Sequence, residues 1–206
     1  MSGTVISIGP GGISFGGSAE KAERTEKGES LLALPTTYTV VDLETTGLDP
    51  QWNDIIEFGA MRVVDGMVTE KYAQLVNPGY EIDEFITELT GITNEMLAEA
   101  PAVNVVLPGF LEFVGDGVVI GHNVNFDINF IYDTCISVLD KPFKNDFVDT
   151  MRLSRRLFPQ ERHHRLCDLI ERFRVGEAVE HRALADLEQT NRCYLFMKGH
   201  MESNGI

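Results

Sequence analysis

Two carboxylates one residue apart, Asp42 and Glu44, interrupt the apolar start of Val-Val-Asp-Leu-Glu-Thr-Thr-Gly at 40–47. Side chains on a strand alternate between faces, so this spacing sends both acids one way and Val41 and Leu43 the other. Carboxylates held side by side repel and raise each other's proton affinity. A hard divalent ion with oxygen ligands, Mg²⁺ or Mn²⁺, is the natural relief. The pair alone is also compatible with two exposed acids at a strand edge.

Two further stretches add to the inventory. Gly-His-Asn-Val-Asn-Phe-Asp at 121–127 follows a short strand and opens a helix, where Asp127 meets the positive end of the helix dipole. His122 in that stretch reads as a core or hydrogen-bonding histidine rather than a ligand. His-Arg-Ala-Leu-Ala-Asp at 181–186 puts His181 just before the last helix and Asp186 in its first turns. Singly, these are a helix-end charge, a surface histidine and an exposed helical acid. Together, four carboxylates and one histidine are what a two-metal phosphodiesterase needs. Ions about 3.5–4 Å apart stabilise both the attacking and the leaving oxygen of an in-line displacement. A histidine of ordinary pKa, near 6.5, can take a proton from the attacking water at neutral pH.

The elements that must position these residues follow from periodicity. Strands are predicted over 38–43, 55–64 and 67–75, the last two joined by the hairpin signal Asp65-Gly66. Helical turns run from Glu84 to Ala98, broken around Gly91, and a helix covers 103–114. A short strand at 117–120 precedes a helix at 126–139, and helices follow at 151–157, 166–173 and 183–197. Strands first and helices later predict an α/β fold, a mixed sheet flanked by helices. Residues 1–36 differ. Six glycines (3, 9, 11, 12, 16, 17) and the polar stretch Ser18–Ser30 read as a flexible tail before a domain at 37–206. No Gly-Lys-Ser/Thr follows the glycines, so a phosphate loop is not indicated, while the alternation in Thr4–Ile8 allows a short strand.

Bulk properties narrow the class. The chain has 206 residues, 43% hydrophobic and 24% charged, which suits one globular domain with a full core. The apolar run Leu31–Leu34 is far too short for a membrane span, and the first residues lack a secretory pattern. Cys135, Cys167 and Cys193 are scattered and odd in number, as expected of reduced thiols. A cytoplasmic protein without a membrane partner is expected. The net charge of −15 argues against a long grip on nucleic acid. Positive charge gathers between Met151 and Arg174, seven arginines against three acids, as a solvated helical face or a local phosphate-facing edge.

In order, these motifs resemble the DnaQ-like exonucleases, in their histidine-bearing DEDDh branch. The first motif matches Asp42-Leu43-Glu44-Thr45-Thr46-Gly47, the second His122-Asn123-x-x-Phe126-Asp127, the third His181-x-x-x-x-Asp186. The five-residue step to Asp186 separates this branch from the tyrosine branch, whose step is four. The resemblance extends to Ile55-Ile56-Glu57-Phe58-Gly59, Val76-Asn77-Pro78 and Leu89-Thr90-Gly91-Ile92-Thr93, and runs from about 37 to 197. Within the family, His163-His164-Arg165-Leu166 and Glu180-His181-Arg182-Ala183 are most similar to proofreading exonuclease domains of Gram-positive-type DNA polymerase III, and somewhat less to the epsilon subunit.

The resemblance implies a ribonuclease-H-like fold, a mixed five-stranded sheet flanked by helices. It implies 3′→5′ hydrolysis of phosphodiester bonds at DNA 3′ ends with two Mg²⁺ or Mn²⁺ ions, releasing 5′-mononucleotides. Asp42, Glu44 and Asp186 would hold the ion that activates water, Asp42 would bridge to a second ion with help from Asp127, and His181 would be the general base. Thr45, Thr46 and Gly47 would bring backbone groups to the terminal nucleotide, and Leu48 would wedge against its base. Asn123 and Phe126 would line that pocket, with His164 and Arg165 meeting phosphates. The expected partners are a single-stranded or frayed DNA 3′ end and a DNA polymerase. The catalytic residues leave RNA open, as in trimming enzymes of the oligoribonuclease or ribonuclease T kind, because sugar choice depends on 2′-OH contacts. A non-catalytic binding module is the remaining alternative.

Overall fold

The computed structural model describes residues 5–9, 12–16, 24–176 and 183–205, the first two stretches as backbone only. Six strands and seven helices among the described residues form one sheet with helices on both faces. Its strands are β3 (Ser30–Leu31), β4 (Tyr38–Thr45), β5 (Ile55–Val64), β6 (Met67–Leu75), β7 (Val119–Gly121) and β8 (Phe147–Asp149), in the order β3-β8-β7-β4-β5-β6. From β3 to β4 neighbours run parallel, while β5 and β6 are antiparallel. A separate antiparallel hairpin, β1 (Val5–Gly9) with β2 (Gly12–Gly16), lies in the glycine-rich start, where a short strand was expected.

The sheet has six strands where five were expected. The five from β8 to β6 equal the number the resemblance implies, although β8 lies outside every strand predicted from periodicity, and the sixth comes from the segment read as tail. Composition hides it, because two paired residues leave no periodic signal. Residues 24–36 lie along the domain through specific contacts. Arg24 pairs with Asp133 at 2.5 Å, Lys27 donates to Asn125 and Asn129, and Tyr194 donates to the Pro35 carbonyl at 2.7 Å. The rest of the expected tail, residues 1–4, 10–11 and 17–23, lies outside the described residues.

Helices α1 (Glu84–Thr90), α2 (Asn94–Ala98), α3 (Val103–Val114), α4 (Asn125–Leu139), α5 (Thr150–Leu157), α6 (Leu166–Phe173) and α7 (Ala183–Asn204) complete the fold. Asp65 and Gly66 hold positive φ of 49° and 78° in the β5–β6 turn, as a tight hairpin demands. Alternation along β4 then divides the molecule. Val41 and Leu43 pack with Phe58, Phe110 and Ile128 against α3 and α4; Tyr38 and Val40 pack with Met61, Leu187 and Tyr194 against α5, α6 and α7. Both faces are apolar, so β4 and β5 are buried on both sides and read as near-continuous hydrophobic runs. Asp42 and Glu44 share the parity of Tyr38 and Val40, and so emerge on the α7 face.

Candidate active site

β4 carries its apolar residues into the core and its acids to the carboxyl end. There Asp42, Glu44 and Asp186 converge, with one carboxylate oxygen from each lying within 4.8 Å of the others. Asp186 reaches the site from the first turn of α7, which packs across β4 and β5. Asp127, buried in the first turn of α4, accepts the backbone N–H of Leu43 at 3.1 Å, which ties it to the same strand. Three of the four carboxylates expected from sequence therefore converge, and the fourth, Asp127, is held against the same strand close enough to raise Asp42 electrostatically. His181 lies outside the described residues.

Electrostatics at this edge are those of crowded like charge. Burial, then Asp127, Glu44, Asp186 and Glu57 in turn, hold the Asp42 carboxyl well above the usual carboxylate range. Burial raises Asp127 to about 8 against the pull of its own and the Leu43 N–H groups. Glu57 is a contributor the sequence reading gave no role. It stands opposite Glu44 in the β4–β5 register at only 3% exposure. A single acid in the apolar run Ile-Ile-Glu-Phe-Gly-Ala was the available signal.

The loop after β4 is shaped by a closed ring of hydrogen bonds. Tyr80 Oη donates to Asp54 Oδ2 at 2.7 Å and so accepts from the Thr46 hydroxyl at 3.0 Å. The Asp54 N–H returns to Thr46 Oγ1 at 3.0 Å, and the Thr46 N–H donates to the Asp54 carbonyl at 2.9 Å. Thr46 thus spends its polar groups on the loop itself. Thr45 Oγ1 donates to the Gly47 carbonyl at 2.7 Å, and a Cβ on Gly47 would sit 2.6 Å from the Asn53 side chain. Past this turn Leu48 stands 86% exposed, so core packing does not account for it.

The remaining expected residues divide. Asn123 is exposed beside α4, and Phe126 is half-buried against Phe130 with ring centroids 4.9 Å apart. His164 and Arg165 have their polar atoms engaged by neighbours in their own segment. His164 Nδ1 is 2.8 Å from Ser154 Oγ and its Nε2 3.1 Å from the Glu161 carbonyl, while both Arg165 contacts to Asp168 are 3.0 Å. His122 is the hydrogen-bonding histidine expected: its Nδ1 lies 3.0 Å from Thr150 Oγ1, and burial lowers it to about 4.

With the acids placed, comparison with known proteins is decisive. The exonuclease family model, RNase_T, matches residues 39–194, from the start of β4 into α7. The chain belongs to the RNase_T exonuclease family. Like the family, it is a metal-dependent 3′→5′ exonuclease, a hydrolase of phosphodiester bonds. It is 43% identical over 162 residues to the DNA polymerase III subunit epsilon of Aquifex aeolicus, covering 79% of this chain and 80% of that one. Over 163 residues it is 39% identical to the PolC-type DNA polymerase III of Bacillus subtilis, of which it spans 11%. Among solved structures it is similar to Exonuclease X bound to 5′-overhanging duplex DNA, with TM-score 0.63, 26% identity and 82% and 93% of the two chains covered. Escherichia coli Exonuclease I with a dT13 oligonucleotide shares the fold at TM-score 0.72 and 19% identity, over 83% and 43% of the chains. No described helix is long and apolar enough to cross a membrane.

Proposed function

We propose that this exonuclease removes nucleotides from single-stranded or frayed 3′ ends of DNA as a proofreading enzyme. It would work beside a DNA polymerase in the cytoplasm and use two Mg²⁺ or Mn²⁺ ions. The observation that carries this reading is the meeting of Asp42, Glu44 and Asp186 within 4.8 Å, in a chain 43% identical to an epsilon subunit over most of its length.

The donor set fits hard cations. Every candidate ligand is a carboxylate oxygen, and raised proton affinity at Asp42 and Asp127 marks a site short of positive charge. Asp42, Glu44 and Asp186 would hold one ion, and Asp42 with Asp127 the second. Such ions, when bound, offset the charge that develops on the attacking and leaving oxygens. The chain's own residues do the rest. Asp127, anchored to Leu43 N–H, keeps the α4 carboxylate beside β4. By resemblance, His181 takes the proton of the attacking water. The rigid Thr46–Asp54–Tyr80 ring presents Leu48, whose exposure suits a wedge against the terminal base. A wedge at one terminus favours ends that are already unpaired, because a matched end must first be opened.

The test is hydrolysis of matched DNA and RNA oligonucleotides, single-stranded and paired, with 3′-hydroxyl or blocked 3′ ends. Faster release of 5′-mononucleotides from free, unpaired DNA ends is expected. Faster RNA cleavage would favour a trimming exoribonuclease, and equal cleavage of blocked ends would remove the 3′-end reading.

A further inference from the structure

Asp149 closes β8 and opens α5, and nothing in the site described so far uses it. Its Oδ1 accepts the N–H groups of Met151 at 2.9 Å and Arg152 at 3.5 Å, an ordinary N-cap for α5. The same oxygen also accepts the N–H of Asn123 at 2.9 Å, from the turn between β7 and α4. Asn123 holds φ at 57°, a left-handed conformation that a residue with a side chain keeps only when its surroundings fix it.

The next residue holds the same turn. Thr150 Oγ1 donates to the Gly121 carbonyl at 3.1 Å, so the His122 Nδ1 at 3.0 Å supplies the proton of its own bond to that oxygen. Gly121, His122 and Asn123 are therefore gripped in succession by Asp149 and Thr150. The turn has no slack: a Cβ on Gly121 would lie 2.5 Å from Val124 Cγ2 and 3.0 Å from the Val41 carbonyl. α4 has no side-chain cap of its own, so its start is set from β8 and α5. Asp127 is the third residue of α4.

We infer that Asp149 is a positioning residue: by holding Asn123 N–H it fixes the start of α4, and so keeps Asp127 against β4 beside Asp42. The inference rests on the proposed role of Asp127 as a metal ligand.

Two substitutions separate the grip from the cap. Asp149→Asn keeps an acceptor oxygen at the same reach. Asp149→Ser keeps a good N-cap for α5, but its shorter side chain falls short of Asn123. For parent and both variants, the measurements are kcat and KM on a 3′-hydroxyl DNA oligonucleotide, Mn²⁺ affinity by calorimetry, melting temperature, and amide exchange at Asn123. Asp149→Asn is expected to stay near the parent in all four. Asp149→Ser should melt with Asp149→Asn yet expose the Asn123 amide. It should lose roughly 10–100-fold in kcat with KM little changed, and bind Mn²⁺ roughly 10-fold more weakly. Equal kcat in the two variants, or an equal loss in both, would overturn the inference; so would a loss in Asp149→Ser that tracks a lower melting temperature. If the parent degrades no oligonucleotide, the functional proposal fails by itself. Mn²⁺ affinity and Asn123 exchange then decide the grip, which is refuted if Asp149→Ser matches Asp149→Asn in both.

Discussion

Two charged regions of this molecule treat charge in opposite ways. At the end of β4 the acids crowd one another: Asp127, Glu44, Asp186 and Glu57 each raise the Asp42 carboxyl, on top of its burial. Between Met151 and Arg174 three of the seven arginines are instead engaged within the chain. Arg152 donates to the Ser30 carbonyl and hydroxyl, Arg165 is forked onto Asp168, and Arg172 meets Glu161 and the His163 carbonyl. Pairing of that kind fixes architecture, here the edge strand β3 and the loop between α5 and α6. Crowding of like charge costs stability in the metal-free protein and is retained where function needs it. The arginine segment, a candidate phosphate-facing edge by composition, serves the fold first. Arg155, Arg156, Arg162 and Arg174 are exposed and have no ion pair among the described residues.

The comparison can be broken most sharply at its acidic side. Asp186→Ala should abolish turnover in a single-nucleotide release assay while the far-ultraviolet circular dichroism stays parental. Residual activity near the parent's would return Asp186 to the status of a helical surface charge. His181→Ala should slow hydrolysis by roughly 10²–10⁴-fold at neutral pH, the span of general-base catalysis. The parent's rate should climb through the histidine titration range and the variant's should not. A variant with the parental pH profile would assign the base to another group.

A smaller effect reads the stored repulsion directly. Asp127 binds its proton up to about 8 in the folded chain, well above an ordinary carboxylate. The folded state then holds more protons than the unfolded one between the usual carboxylate range and about 8. Metal-free stability is therefore lost as pH rises through that window. Asp127→Asn should flatten this fall in a urea-denaturation series, and an unchanged slope would show that other groups cause it. The smallest effect belongs to the paired side. Arg165→Ala, which breaks an exposed fork, should leave the melting temperature close to the parent's and leave KM for an oligonucleotide unchanged. A several-fold rise in KM would restore Arg165 to the substrate path.

Where the sequence was legible, long periodic segments and strand parity made it so. β5, β6, α3 and α6 begin and end at their predicted residues because each carries an uninterrupted pattern between turn signals. Parity along β4 alone sends Asp42 and Glu44 to one face, and the approach of Asp127 and Asp186 follows from short connections onto that edge. The parts missed are short or depend on partners far along the chain. β3 and β8 pair through two residues, too few to show a period. The Asp149 grip on Asn123 joins positions 26 apart through one backbone N–H. Asp149-Thr150 before a helix reads locally as a cap, and only the fold reveals its second acceptor role.

The central claim is that the crowded acids form a metal site whose repulsion the ions relieve. The most direct measurement is the melting temperature of the parent and of Asp42→Ala, each with EDTA and with saturating Mn²⁺. Removing one carboxylate from a repelling cluster should leave the variant at least as stable as the parent in EDTA. Mn²⁺ should raise the parent's melting temperature, as any ligand of the folded state must, and should barely move the variant's. Equal Mn²⁺ shifts in both proteins, or a variant markedly less stable than the parent in EDTA, would contradict the account.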